Sequence, residues 1–170
     1  MKNILVVTLL VVTTALHAQF TKGTKFIEVG SSSNDLRVSP TGLMFYVSDE
    51  KEKSIVIGLS GGYFISDGLA MKLGTGFSYS KLRDLNALKS YGVSGGIEYY
   101  ISNKFPVEIR YSASFRDQYK DSHFLTLKVG YAKVFDKKFV LKPFAFIEKS
   151  LNNYYANGAG LGVSFSYNFK

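Results

Sequence analysis

The stretch Ser54 to Ile65, SIVIGLSGGYFI, followed by Ser66-Asp67-Gly68 and then by LAMKLGTGFSYS from Leu69 to Ser80, alternates with a period of two residues. Its odd positions are Ile55, Ile57, Leu59, Gly61, Tyr63 and Ile65, then Leu69, Met71, Leu73, Thr75, Phe77 and Tyr79, whereas its even positions are mostly Gly and Ser with Lys72. A period of two is that of a β-strand, whose successive side chains point to opposite faces. The Ser-Asp-Gly junction supplies turn residues, so the two segments form a hairpin with one greasy face and one small, polar face. The same parity continues in Tyr91 to Ile101, Phe105 to Phe115 and Ala159 to Phe169. The thirty odd positions of these five segments include no charged residue. A random draw at the chain's 20% charged content would place about six there, so the alternation is a structural constraint.

An uncharged face could be buried in a soluble sandwich or turned toward lipid. Three features favour lipid. The opposite face is dominated by Gly and Ser, too bland for a solvated surface but suited to a narrow lumen. Aromatics gather at segment ends: Tyr63, Tyr99, Phe105, Phe139, Tyr167 and Phe169 toward one rim, and Phe77, Tyr79, Tyr91 and Phe115 toward the other, as interfacial girdles would. Connections alternate between short (Ser66 to Gly68, Ser102 to Lys104, Asp136 to Lys138) and long (Asn34 to Lys53, Lys81 to Ser90). The expected fold is all-β, an eight-stranded antiparallel up-and-down transmembrane β-barrel, with strands near 24–33, 54–65, 69–80, 89–101, 105–116, 122–135, 139–149 and 157–169. Leu43 to Val47 is an apolar run inside the first long loop, readable as a hairpin extension or as part of the first strands.

The chain's 170 residues fit one domain. The absence of Cys removes disulfides, thiolate metal sites and cysteine nucleophiles. Residues 1–18 read as a secretory signal: Lys2 is the positive n-region, Ile4 to Leu16 an apolar run broken by Thr8, Thr13 and Thr14, and Ala18 a small residue for cleavage. Gln19 then begins a barrel domain of residues 19–170 with a net charge of +7, against +8 for the full chain. Leu16 departs from the small-residue cleavage pattern, which leaves an uncleaved anchor as the alternative, although the run is short for a span.

On this register the inward charged residues are Glu28, Lys72, Glu98, Glu108, Arg110, Lys128, Lys142 and Glu148, four acids with four bases. An unpaired charge in a lumen shut off from water is costly, so a salt-bridged plug is expected, with a charge-selective pore as the functional alternative. Phe64, Tyr100, Phe144 and Phe146 would narrow the lumen further. Lys133 has lipid-facing parity but lies near a rim, where it can snorkel. Ser122 and His123 are the one hint of hydrolytic chemistry, yet adjacent strand residues face opposite ways. No catalytic, cofactor or metal residue is expected. Gly61-Gly62 and Gly158 to Gly162 lack the Lys and helix of a phosphate loop and read as room for bulky neighbours. The basic charge comes without an arginine cluster or basic helix, so nucleic acid is not expected as a partner.

Gly62-Tyr-Phe-Ile-Ser-Asp-Gly-Leu-Ala70 resembles the second-strand, short-turn, third-strand junction of the eight-stranded outer-membrane β-barrel family of Gram-negative bacteria, porin-like proteins similar to the OmpA transmembrane domain. The closing Gly162-Val-Ser-Phe-Ser-Tyr-Asn-Phe169 resembles the family's C-terminal strand, although here Lys170 follows the terminal aromatic. The resemblance implies an outer-membrane location, surrounding membrane lipids, and the barrel-assembly machinery as a partner of the strand ending at Phe169. The function expected is structural or surface-interacting, through loops 34–53, 81–90, 117–121 and 150–156 with an unknown ligand, and not enzymatic. A small diffusion pore is the alternative, and a lipid-modifying barrel enzyme a minor one.

Overall fold

The computed structural model describes residues 20–32, 43–47, 53–81, 87–116, 120–152 and 157–170. The signal segment 1–18 and the central parts of the four longer connections lie outside the described residues. The strands are β1 (Lys25–Ser32), β2 (Leu43–Val47), β3 (Lys53–Ser66), β4 (Leu69–Lys81), β5 (Leu88–Ile101), β6 (Phe105–Arg116), β7 (Ser122–Gly130), β8 (Lys133–Phe135), β9 (Phe139–Ser150) and β10 (Gly158–Phe169).

All pairings are antiparallel, in the order β1-β10-β9-β7-β6-β5-β4-β3, and β1 also pairs β3, so the sheet closes. β8 continues β7 along β9 without a register change: Gly130 lies opposite Phe144 and Lys133 opposite Leu141. Between them the Tyr131 amide donates to the Pro143 carbonyl at 3.0 Å. The expected strand 122–135 is therefore one stave, and the wall has eight. Following the register around the ring returns to β1 with a stagger of about ten residues, which corresponds to strands tilted by about 40°.

The first long connection differs from the expected loop. β1 pairs β3 only from Lys25↔Tyr63 to Glu28↔Ser60, then stays with β10 as far as Ser32↔Gly162. β2 takes over the rest of β3, from Leu43↔Ile57 to Val47↔Lys53. The first stave is thus forked, and Leu43 to Val47 belongs to the wall. A five-residue run rich in β-formers has a ready place there, because it covers backbone groups of β3 that would otherwise form an open edge.

Parity holds along the described strands, where Ala113 is the single odd position that is buried. Leu73 and Leu161, on the outer face, are 74% and 69% exposed, whereas Phe64, Ala70 and Val140 inside are fully buried. Registers join odd with odd and even with even, apart from a bulge at Ser66↔Leu69. The short turns cluster at one end, hereafter the turn rim. Two of them place both central residues at positive φ, Ser102 and Asn103 at 51° and 56°, Asp136 and Lys137 at 46° and 57°. These are the mirror-image turns that match strand twist. The expected girdle residues Tyr63, Tyr99, Phe105, Phe139, Tyr167 and Phe169 all lie exposed on the outer face near this rim, joined by Tyr131 and Phe135.

Inside, the interior near the turn rim is aromatic. Gly62 is the glycine on which its packing turns: a Cβ there would lie 2.2 Å from Phe26 Cζ and 2.7 Å from the Met71 carbonyl oxygen. The ring can move, but the backbone of β4 cannot move far. Gly62→Ala should lower unfolding stability by about 1–3 kcal/mol. Gly95→Ala, whose Cβ would meet only the Leu73 Cδ2 at 3.5 Å and a carbonyl at 3.9 Å, should change it little. Urea titration followed by gel mobility in lipid vesicles distinguishes the two, and equal losses would count against the close approach at Gly62.

Candidate functional site in the barrel interior

The inward positions of each strand supply one contribution to the lumen, and register decides which contributions meet. Glu98 and Glu108 are direct cross-strand partners, as are Glu108 and Lys128. Two carboxylates side by side repel unless a cation is shared. Lys72 is that cation: its Nζ lies 2.9 Å from Glu28 Oε1, 3.0 Å from Glu108 Oε2 and 3.5 Å from Glu98 Oε2. Lys142 bonds Glu28 Oε2 and lies 3.1 Å from Glu98 Oε1. Arg110 Nε donates to Glu108 Oε1 at 2.5 Å, and Lys128 Nζ is 3.9 Å from Glu108 Oε2. Strands from opposite sides of the ring, β1, β4, β5, β6, β7 and β9, are thereby tied across the lumen.

Of the eight inward charges expected from the sequence, Glu28, Lys72, Glu98, Glu108, Arg110, Lys128 and Lys142 are brought into this one cluster. Glu148 shares their face but sits half-buried six residues along β9 from Lys142, level with Thr126, whose other neighbour is Arg110. It extends the polar interior toward the long-loop rim. Only a small void of about 10 Å³ remains among Glu28, Glu98, Glu108, Lys128, Lys142 and Phe144. Among the described residues, no group of three or more His, Asp or Glu side chains is arranged to hold a metal.

Below the charges, toward the turn rim, lies a hydrophobic layer of Phe20, Phe26, Phe64, Ala70, Tyr100, Ala132 and Val140. Phe64 and Tyr100 are inward by their parity, whereas Phe20 precedes every alternating segment and carries no periodic signal. Phe20 is 2% exposed, and its ring stacks on Tyr100 at 3.9 Å between centroids. The backbone holds it in place: the Gly68 amide donates to Phe20 O at 2.7 Å, the Gly23 amide to Phe64 O at 2.9 Å, and the Lys22 amide to Asp67 Oδ1 at 2.8 Å. The segment 20–24 therefore folds across the mouth. Tyr100 joins the two layers, since its hydroxyl donates to Glu98 at 3.3 Å and accepts from Lys142 at 3.2 Å. Phe26 adds a ring face to both lysines, 5.8 Å from Lys72 Nζ and 5.6 Å from Lys142 Nζ. Phe144 and Phe146, also expected to narrow the lumen, face it from β9, with Lys128 Nζ 4.7 Å above the Phe144 ring.

Ser122 and His123 face opposite ways. Ser122 is fully buried in the interior, while His123 Nδ1 lies on the outer side, 2.7 Å from the Tyr111 hydroxyl. Lys133 is exposed on the outer face, with Nζ 5.4 Å from the Phe135 ring, which fits a snorkelling rim position.

Removing one partner of a buried ion cluster leaves an uncompensated charge. Glu108→Ala should therefore lower stability by about 3–5 kcal/mol, because Arg110 loses the carboxylate its Nε donates to and Lys72 loses one of the three that surround its Nζ. Phe20→Ala should cost about 3 kcal/mol by emptying the mouth. Both are read by urea unfolding of the vesicle-embedded chain. A Glu108→Ala transition unchanged from the parent would refute the pairing.

No family model matches this sequence, and no curated protein does. Among solved structures, the chain is similar to the Yersinia pestis outer membrane protein Ail, with a TM-score of 0.54 and 13% identity, covering 87% of this chain and 100% of that one. It is also similar to the N-terminal β-barrel domain of Pseudomonas aeruginosa OprF, with a TM-score of 0.50 and 12% identity, covering 87% of this chain and 98% of that one. At such identities the likeness concerns the fold. Together with the closed ring and its apolar outer face, it identifies the chain as an eight-stranded antiparallel β-barrel of the outer-membrane type.

Proposed function

We propose that this chain is an integral barrel of the bacterial outer membrane whose lumen is closed and whose role is structural or surface-interacting. The observation that carries this reading is the double seal across the interior, a buried ion cluster resting on the Phe20–Tyr100 aromatic layer. An eight-stranded barrel is just wide enough for its side chains to fill, and here long charged side chains and rings occupy the turn-rim half. With passage through the lumen closed, the segments left to meet a partner are the long connections 34–53, 81–90, 117–121 and 150–156 at the other end. β2 reduces the first of these by pairing with the wall.

A small diffusion pore is the second reading. It is favoured by the small residues on the inward face toward the long-loop rim, such as Gly58, Gly76, Gly92 and Ser112, and it requires the ion cluster and the Phe20 layer to open together. His123 takes no catalytic part in this reading, since its ring lies on the outer face and away from Ser122. The strand ending at Phe169 is proposed as the segment presented to the barrel-assembly machinery. Its pairing with β1, which closes the ring, supports a role in the last step of assembly.

The test is conductance in planar bilayers of chain whose folding is verified by heat-sensitive gel mobility. The parent should give no reproducible steps. Stable unitary steps from verified barrels would overturn the closed-lumen reading and favour the pore.

A further inference from the structure

The outer wall is not uniformly filled. An open groove of about 900 Å³ runs along β7, β9 and β10. Its floor is low because Pro143 and Ala145 are the small outward residues of β9 there, and its sides are raised by Val129 and Tyr131 on one flank and Leu161 on the other. At the turn rim the groove is framed by aromatics, with the Phe105 and Tyr131 rings 5.7 Å apart. Two exposed lysines stand just past this frame. Lys133 is the next outward residue after Tyr131 on the same stave, about 7 Å further along. The backbone of Lys104 lies beside this stave, its carbonyl accepting from the Ala132 amide at 2.7 Å, and its side chain is exposed at the turn. The adjoining turn adds exposed Lys137 and Lys138 against Asp136.

We infer that this groove is a binding site for an anionic phospholipid of the leaflet at the turn rim, resting on the reading of the chain as a membrane barrel. The chemistry assigns each part. An acyl chain in contact with the wall gains dispersion contacts along the Pro143–Ala145 floor that a flat wall cannot offer. The aromatic frame marks the depth of the headgroup boundary. A phosphodiester at that depth falls within reach of Lys133 and Lys104, whose long stems lie along apolar surface while their ammonium groups seek the interface. Charge complementarity selects this occupant over a second copy of the chain, which would bring the same lysines to the same groove.

The test uses the folded chain in nanodiscs of equimolar phosphatidylglycerol and phosphatidylcholine, released into native mass spectrometry. Heat-sensitive gel mobility is checked first; a chain that never forms the compact species would count against the barrel reading itself, separately from the lipid site. The parent should retain phosphatidylglycerol in preference to phosphatidylcholine. Lys133→Gln should reduce that preference about fivefold, with a similar further loss on adding Lys104→Gln, while Lys133→Arg should preserve it. Ala145→Leu, which fills the floor, should reduce retention of both lipids. Equal retention of the two lipids by the parent, an unchanged preference in Lys133→Gln, or a stable mass of two chains in place of the lipid adduct would overturn the assignment. Lys133→Gln alters only an exposed side chain, so the proposal stays testable even where Ala145→Leu fails to fold.

Discussion

Hydrocarbon offers no partner for an N–H or C=O, so a strand in a bilayer must be paired on both sides, and only a closed ring achieves that. The β1–β3 and β1–β10 pairings make the closure. The forked first stave serves the same requirement for β3: where β1 leaves it, its backbone is taken up by β2. Closure in turn fixes parity. Because the side-chain period is two, a slip of one residue would carry Lys72, Glu98, Glu108, Arg110 and Lys142 into lipid and bring Leu73, Ile97 and Ile109 into the lumen.

Burial then dictates how the interior is filled. Charges removed from water must be paired, and here each carboxylate of Glu28, Glu98 and Glu108 meets a lysine carried by a different strand, with Arg110 adding a second cation to Glu108 from its own strand. Such a cluster does not gain all its desolvation back as stability, but it makes any misregistered pairing expensive. The aromatic layer beneath it has the complementary role. It excludes water from one end of the cluster, and Tyr100 serves both layers with one side chain, its ring against Phe20 and its hydroxyl between Glu98 and Lys142.

The eight staves, their outward faces and the identity of the inward charges were legible in the sequence because each depends on a local period. What was not legible depends on register around the ring. Parity places Lys72 inside but does not say that it spans Glu28, Glu98 and Glu108; that needs the stagger of four separate strands. Parity likewise puts Glu148 inside without giving its level relative to Lys142. Phe20 was missed because a single aromatic ahead of β1 has no periodicity to announce it, and its burial comes from backbone bonds to Phe64 and Gly68 that are distant in sequence. Leu43 to Val47 was ambiguous because five apolar residues are too few to separate a loop segment from a strand, and its partner is decided by where β1 departs. The outer groove at Pro143 and Ala145 left no mark on the alternation at all, since small apolar residues keep the parity as well as large ones do.

Odd positions face lipid and even positions face a filled interior. The chain contains no Cys, so single cysteines carrying a nitroxide can be placed at Val93, Ile97 and Leu127 on one face and at Ser94, Ser112 and Thr126 on the other. Collision rates with oxygen, which partitions into lipid, and with a water-soluble nickel chelate then distinguish the two sets in the vesicle-embedded chain. High oxygen and low nickel access at the odd positions, with low oxygen access at the even ones, is the predicted result. Nickel access at Val93 and Ile97, or a loss of alternation between the two sets, would contradict it.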